Sequence, residues 1–344
     1  MEPPMEPPME PPMDTPVRTA LVLGATGGVG GAIADALLRH GWQVRAMARD
    51  VDKARRQNSS PLQWLAGDAM NGDDVARAAE GVAAIVHAVN PPGYRDWQTL
   101  VLPMIDNTIA AARASGRAAN PGGRAARVVM PGTVYNYNPA LAPLVDETTP
   151  QRPLSRKGAV RVELERRLER AAPEVPSLIL RAGDFFGPGA RSSWFTQAMV
   201  ARGRPLRRIV RLTRGGGHSW AYLPDLAEAF ARLLDVEDRL APFERLQFEG
   251  LYDASGTMLT DALCRVAGRD LPQWSFPWWL MRLAAPFGGF PREAAEIAPF
   301  WQYPMRFDNT RLVGLIGPEP RTELDLAVRQ ALVYMGSLGT GSST

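Results

Sequence analysis

Apolar residues along the chain fall into two alternating textures. Short runs such as TALVL, QVRAMA and AIVHA are dense in small and branched apolar residues and too brief for helices. They predict strands at 18–23, 43–48, 62–65, 84–88, 127–130 and 177–180. Between them, at 28–40, 73–79, 97–115 and 157–171, apolar positions return every three to four residues, the spacing of a helix with one buried face. Strands alternating with helices require crossover connections, and crossovers make neighbouring strands parallel. The predicted fold is therefore α/β, a Rossmann-type doubly wound parallel sheet.

Beyond Gly183 the pattern shortens. Helices are predicted at 193–201, 224–234, 258–267, 278–285 and 323–335, with one strand at 245–249. These should form a smaller C-terminal α/β substrate lobe over the carboxyl ends of the strands, where an open α/β sheet binds its ligands. The expected organisation is a tail at 1–15, a dinucleotide-type domain at 16–182, and a lobe at 183–344 that interleaves with it rather than folding alone. Four of nine tryptophans lie within 274–301, which predicts a well-filled core there ahead of an apolar wall.

Composition narrows the function classes. With 39 basic and 36 acidic residues, the net charge of +3 is too balanced to imply nucleic acid as a partner. Arginines do cluster at 202, 204, 207, 208, 211 and 214, which fits either a solvated face or an anionic pocket. One cysteine, Cys264, excludes an internal disulfide, and histidines only at 40, 87 and 218 leave a metal site almost no ligands. No uncharged apolar run is long enough to span a membrane; 276–290 comes nearest but carries Arg282 and is broken by prolines and glycines, so a buried or interfacial helix is expected. The opening MEPPMEPPMEPPMD is too rich in proline to pack and lacks the basic start and apolar stretch of a secretory signal, which favours a cytoplasmic protein; recurring methionines also allow a start later than residue 1.

The strongest local signal is GATGGVG at 24–30, set between an apolar strand and an amphipathic helix. Gly24 suits the tight turn out of the strand, Gly27 lets backbone approach a pyrophosphate, and Gly30 permits close packing of helix on strand. The amides of Thr26, Gly27, Gly28, Val29 and Gly30 then face the phosphates at the positive end of the helix. At the end of the second strand an NAD site would place an acid on the ribose; Ala48 stands there, followed by Arg49, whose guanidinium suits a 2′-phosphate. NADP is expected ahead of NAD, the alternative being that Arg49 is solvated and Asp50 takes the acidic role.

These motifs resemble an extended or atypical short-chain dehydrogenase/reductase of the NAD-dependent epimerase/dehydratase type, from about residue 19 to 335. AGDAMNGDDV at 66–75 is similar to the family's third-strand segment, which implies that Asp68 and Ala69 meet the adenine. HAVNPP at 87–92 resembles the fourth-strand segment lining the cofactor, implying Ala88, Val89 and Asn90. ILRAGDFFGPGA at 179–190 resembles the stretch after the sixth strand, implying Ala182, Gly183 and Asp184 near the nicotinamide and Phe185 and Phe186 toward substrate. WAYLPDLAEAF at 220–230 matches a late segment near the substrate, with His218 just before it.

The resemblance breaks where chemistry is decided. Such proteins place a Ser or Thr after the fifth strand and a Tyr-x-x-x-Lys pair on the next helix; here Pro131 stands near the serine position, with Thr133 two residues on, and PLSRKGAVRVELERRLE contains no tyrosine. Aligned on the four-residue spacing, Lys157 and Arg161 replace the pair; aligned on Pro153, Leu154 replaces the tyrosine. Arg161 is the expected ribose clamp, and Lys157 or Thr133 the proton donor, the plain alternative being a charged helix with an Arg161–Glu165 pair. Tyr135 and Tyr137 supply phenols near the strand end, with Tyr135 expected on the substrate side. Three functions follow as expectations: an NAD(P)-dependent oxidoreductase of a small carbonyl or hydroxyl substrate, an NADP-sensing protein without turnover, or a sugar-nucleotide epimerase or dehydratase. The oligomeric state is left open.

Overall fold

Ala20 to Leu23 in the first strand are wholly buried, as expected of a strand covered by helices on both faces of a parallel sheet. The structure, a computed structural model, describes residues 17–90, 97–119 and 123–338. The proline-rich tail, and Pro91 and Pro92 of the fourth-strand motif, lie outside the described residues. In chain order the strands are β1 (Thr19–Leu23), β2 (Gln43–Ala48), β3 (Gln63–Ala66), β4 (Ala84–His87), β5 (Arg127–Pro131), β6 (Leu144–Val145) and β7 (Ser177–Arg181). There follow β8 (Asp184–Phe186), β9 (Ile209–Arg211), β10 (His218–Tyr222), β11 (Phe243–Gln247), β12 (Leu251–Asp253), β13 (Gln273–Ser275) and β14 (Arg306–Phe307). The helices of the first half are α1 (Gly28–Arg39), α2 (Val51–Gln57), α3 (Gly72–Ala78), α4 (Trp97–Ala119) and α5 (Arg156–Ala171). Those of the second are α6 (Leu223–Asp235), α7 (Met258–Ala267), α8 (Trp278–Ala284), α9 (Gly289–Ile297), α10 (Thr310–Ile316) and α11 (Leu324–Tyr334).

Seven strands form one parallel sheet in the order β3-β2-β1-β4-β5-β7-β11. The chain winds outward in both directions from β1, so the strand order reverses between β1 and β4, and the crevice at their carboxyl ends is the ligand-binding position of such sheets. This is the predicted doubly wound fold, with one strand more than expected. The strand predicted at 245–249 begins at Phe243 and belongs to the main sheet, pairing Phe243 with Ser177. The cause is α6, which buries Leu226, Ala227, Phe230, Leu233 and Leu234 beside α1 and returns the chain parallel to β7.

The remaining strands form smaller sheets. A three-stranded sheet, β12-β10-β8, carries β10 parallel to β8, and two short pairs join β13 to β9 and β14 to β6. Several predicted elements are corrected. The helix expected at 193–201 is one π-turn, Phe195–Met199. Three helices were not foreseen: α2, α9 and α10. The tryptophan-rich segment is only half core, since Trp278 and Trp301 are each 2% exposed while Trp274 and Trp279 are 58% and 66% exposed.

Candidate cofactor and active site

The glycine-rich turn is built as its sequence requires. Gly24 has φ +91°, and a Cβ there would lie 2.5 Å from the Ala88 carbonyl oxygen, so the loop after β1 and the end of β4 touch through backbone alone. A Cβ at Gly30 would lie 2.3 Å from the Gly24 carbonyl, which makes it the glycine of close helix–strand packing. Gly27 is the N-cap of α1 in an extended conformation, with no side chain capping the helix and no acid in the first turn. A twelve-residue helix therefore points an uncapped N-terminus at the switch-point crevice, where orphan amides and the helix dipole suit an anionic diphosphate. Thr26 is exposed and Val29 half-buried beside them. Gly28 has a second neighbour: its Cβ would lie 2.1 Å from the Gly189 carbonyl, so the segment after β8 covers the loop.

At the end of β2, Arg49 is exposed, and no hydrogen bond or ion pair holds its guanidinium among the described residues. Asp50 is committed differently from the acidic alternative: it caps α2, its Oδ1 accepting from the Lys53 amide at 2.9 Å. After β3, Asp68 is half-buried and accepts from the Met70 amide at 3.0 Å, while Ala69 is buried against the α3–α4 side of the sheet.

Beside Ala88 and Val89, His87 at the end of β4 is 3% exposed. Its Nδ1 lies 2.8 Å from Thr108 Oγ1, which already donates to the Met104 carbonyl at 2.9 Å; the ring therefore carries its proton on Nδ1. Nε2 is left as a buried lone pair with no partner among the described residues. Burial, with the positive Arg161 nearby, pushes the imidazole down to about 3. The unfolded ring titrates near 6.5, so stability conferred by the neutral ring is complete above that value and is lost as pH falls from 6.5 toward 3. Unfolding free energy should fall by about 1.4 kcal/mol per pH unit through this window. Denaturant titrations of the protein and of His87→Leu should show this slope and its loss; an unchanged slope would acquit the ring.

Helix α5 is capped by Ser155, whose hydroxyl accepts from the Gly158 amide at 3.0 Å. Arg161 reaches across to Asn90, donating to its Oδ1 at 2.5 Å, and so stands over the carboxyl end of β4. Lys157, one turn earlier, faces Glu293 of α9 at 3.4 Å. Burial lowers its pKa, with Glu293 opposing. The Arg161–Glu165 pair weighed as the alternative is not formed. Glu165 points inward to Arg181, which donates from Nε and Nη2, and accepts further from Asn136 at 2.8 Å and Gln151 at 2.6 Å. Thr133 Oγ1 accepts from the Tyr135 amide at 3.4 Å, and the Tyr135 ring meets Phe300 edge-on at 5.2 Å. Tyr137 is core, packed on the Arg181 guanidinium.

Past β7, Ala182 is buried and Gly183 is held by packing, its Cβ position 2.0 Å from the Ser219 carbonyl. Parallel pairing of β8 with β10 then puts Asp184 beside His218, with Oδ2 to Nε2 at 2.9 Å. His218 Nδ1 faces the Phe300 carbonyl at 3.2 Å, and the ring stacks on Trp301 at 3.9 Å. Both ring nitrogens thus face oxygen atoms of neighbouring segments. Phe186 is buried against Phe195, Trp220 and Tyr222, and Phe185 packs toward the main sheet.

Residues 20–246 match the profile of the NAD dependent epimerase/dehydratase family. The chain belongs to that family. Nicotinamide dinucleotide is the family's cofactor class, and oxidoreductase or epimerase chemistry its range. A Burkholderia cenocepacia J2315 protein described as a candidate epimerase shares the fold at TM-score 0.70 and 18% identity, over 94% of this chain and 99% of that one. A Bacillus cereus UDP-glucuronic acid 4-epimerase, solved with UDP-glucuronic acid and NAD, matches at TM-score 0.66 and 16% identity over 92% and 98% of the two chains. A Synechocystis sp. protein named as a candidate dihydroflavonol 4-reductase is 32% identical over 77 residues, 22% of this chain and 22% of its own length.

If Leu154 holds the tyrosine position, the residue four later is Gly158, and a Cβ there would lie 2.1 Å from the Tyr135 carbonyl oxygen. That position admits no lysine. Three features escaped the sequence: Glu293, because α9 was not foreseen; the joining of Asp184 to His218, each named singly; and Gly189, for which GPG at 187–189 was the available signal.

Proposed function

We propose that the protein is an NADP-dependent oxidoreductase acting on a small, largely apolar carbonyl or hydroxyl compound. The observation that carries this reading is the uncapped start of α1 at the switch point, in a fold that packs the buried rings of Phe300, Trp301 and Trp220, with Tyr135 on Phe300, about the Asp184–His218 pair. Bound nicotinamide would supply hydride transfer at the substrate carbon. The amides of Gly28 to Gly30 would hold the diphosphate, the Gly27 amide already donating to the Gly24 carbonyl at 2.9 Å, and Arg49 would meet the 2′-phosphate while Asp50 is spent on capping. Asp68 and Ala69 border the adenine, Arg161 with Asn90 clamps the ribose, and Ala88, Val89, Ala182 and Gly183 form the wall behind it. Lys157, with burial favouring its neutral form, exchanges a proton with the substrate oxygen; Thr133 orients that oxygen. Residues from 183 onward, chiefly Asp184, Phe186 and His218, shape the substrate side.

The vacant tyrosine position and the closed Gly158 position favour a second reading, an NADP sensor without turnover. Reduced-nicotinamide absorbance followed over a panel of aldehydes, ketones and alcohols separates the two. Turnover is expected, with Lys157→Met slowing it at least about a hundredfold at unchanged cofactor affinity. Tight NADP binding with no turnover on any substrate would leave the sensor, and epimerisation of a sugar nucleotide without net cofactor change would return the chain to the commonest chemistry of its relatives' names. Arg49→Ala should weaken NADP roughly tenfold to a hundredfold and leave NAD unchanged; equal losses for both would remove NADP preference.

A further inference from the structure

Helices α8 and α9 pack as a hairpin that turns through Phe287, Gly288 and Gly289, the two glycines at φ +82° and +61°. Its inner side is anchored: Trp278 is buried and donates from Nε1 to the Leu212 carbonyl at 2.8 Å. Its outer side is apolar and bare. Trp279, Leu283 and Phe287, spaced four apart, are 66%, 67% and 91% exposed, and Phe290 is 50% exposed. Large apolar groups left together in water mark an interaction surface.

The base of the hairpin is basic. Strand β13, which leads into α8, runs beside β9, and Arg208 lies 4.7 Å over the exposed ring of Trp274. Arg207, Arg208, Arg211 and Arg214 below, and Arg282 and Arg292 on the hairpin, are exposed, and none forms an ion pair among the described residues. The hairpin's own carboxylates, Glu293 and Glu296, lie beside Lys157 instead.

We propose that this hairpin docks the protein on an anionic phospholipid bilayer, Trp279, Leu283, Phe287 and Phe290 entering the boundary between headgroups and acyl chains and the arginines facing lipid phosphates. An aromatic–aliphatic tip with guanidinium groups along the hairpin and at its base is complementary to that surface in both polarity and charge. A second copy is a poorer occupant, because a two-fold interface would bring two sets of arginines together. No helix among the described residues is long and apolar enough to cross a membrane, so the attachment is interfacial. Phe290 meets Trp194 at 5.8 Å, Trp194 meets Trp301 at 6.0 Å, and Trp301 stacks on His218, so aromatic rings run from the docking face to the substrate side. A lipid-phase substrate would follow them; that link rests on the function proposed above, whereas the docking does not.

Flotation of the full chain with vesicles of phosphatidylcholine alone, or mixed with phosphatidylglycerol, tests this. Partition onto the mixed vesicles should exceed that onto phosphatidylcholine by at least about tenfold and weaken with salt. The triple substitution W279S/L283S/F287S, and separately R207E/R208E/R211E, should each reduce it at least about tenfold with thermal unfolding unchanged. Absence of partition onto the mixed vesicles, or equal partition of either variant, overturns the proposal. Conversion of a dimer to a monomer by the apolar triple substitution, read by light scattering, would assign the face to a second copy and overturn it too. Cofactor titration of the same samples reads the functional proposal separately.

Discussion

Gly24→Ala should raise the dissociation constant for nicotinamide dinucleotide at least about a hundredfold, measured by fluorescence titration. Two costs add. The backbone at φ +91° lies where an L side chain is strained by about 1–2 kcal/mol. The new methyl would also sit 2.5 Å from the Ala88 carbonyl and 3.1 Å from the Val89 amide, both backbone atoms that cannot rotate aside. The end of β4 must then separate from the loop after β1, opening the crevice the cofactor is proposed to fill. Gly41→Ala is the control: its φ is +78°, but nothing lies within 4 Å of the added Cβ, so it should cost about 1 kcal/mol of stability and leave binding intact. Gly27→Val separates folding from binding, because Gly27 is extended and its Cβ meets only the Gly24 carbonyl, at 3.2 Å. It should fold and fail to bind. Wild-type affinity in that variant would remove the loop as the phosphate cradle.

Glu165→Ala should destabilise the protein by about 3–5 kcal/mol, lowering the melting temperature by roughly 5–10 °C. The side chains of Arg181 and Glu165 are only 1% and 3% exposed, so deleting the carboxylate strands a guanidinium that water cannot reach. Asn136 and Gln151, which donate to the same carboxylate, lose their acceptor as well. The double substitution Glu165→Met/Arg181→Met should recover most of the loss, since it removes both charges and refills the volume. If it is no more stable than Glu165→Ala, polar anchoring of α5 to β7 outweighs charge burial. The same helix carries Lys157 and Arg161, so cofactor affinity should weaken in the single variant and return in part in the double.

Legibility in the sequence follows how local each constraint is. The β1–α1–β2 unit was plain because its strands are buried on both faces and its turn must be glycine for backbone reasons written within a few residues. Strand β11 was misplaced because FERLQ looks half-polar: Glu244 is 5% exposed and paired with Arg311 of α10 at 3.1 Å, a neutralisation that no local pattern announces. Arg181 and Arg127 were likewise hidden, being buried arginines whose partners come from distant segments. Helix α2 went unseen because VDKARRQ carries one buried position, Ala54. At the site, Arg161 reaches Asn90 just past β4, a long-range contact that helix spacing alone does not announce. Lys157 did not disclose its partner, since Glu293 arrives on a helix whose glycine and proline start reads as a loop.

The contact between Gly28 and Gly189 has a mechanical consequence. Two stretches of main chain, one opening the first helix and the other trailing the strand that bears Asp184, press together with no side chain between them as a cushion. Displacement of either is handed directly to its neighbour. In the proposed site, the diphosphate end and the substrate end of the crevice therefore share a direct main-chain contact.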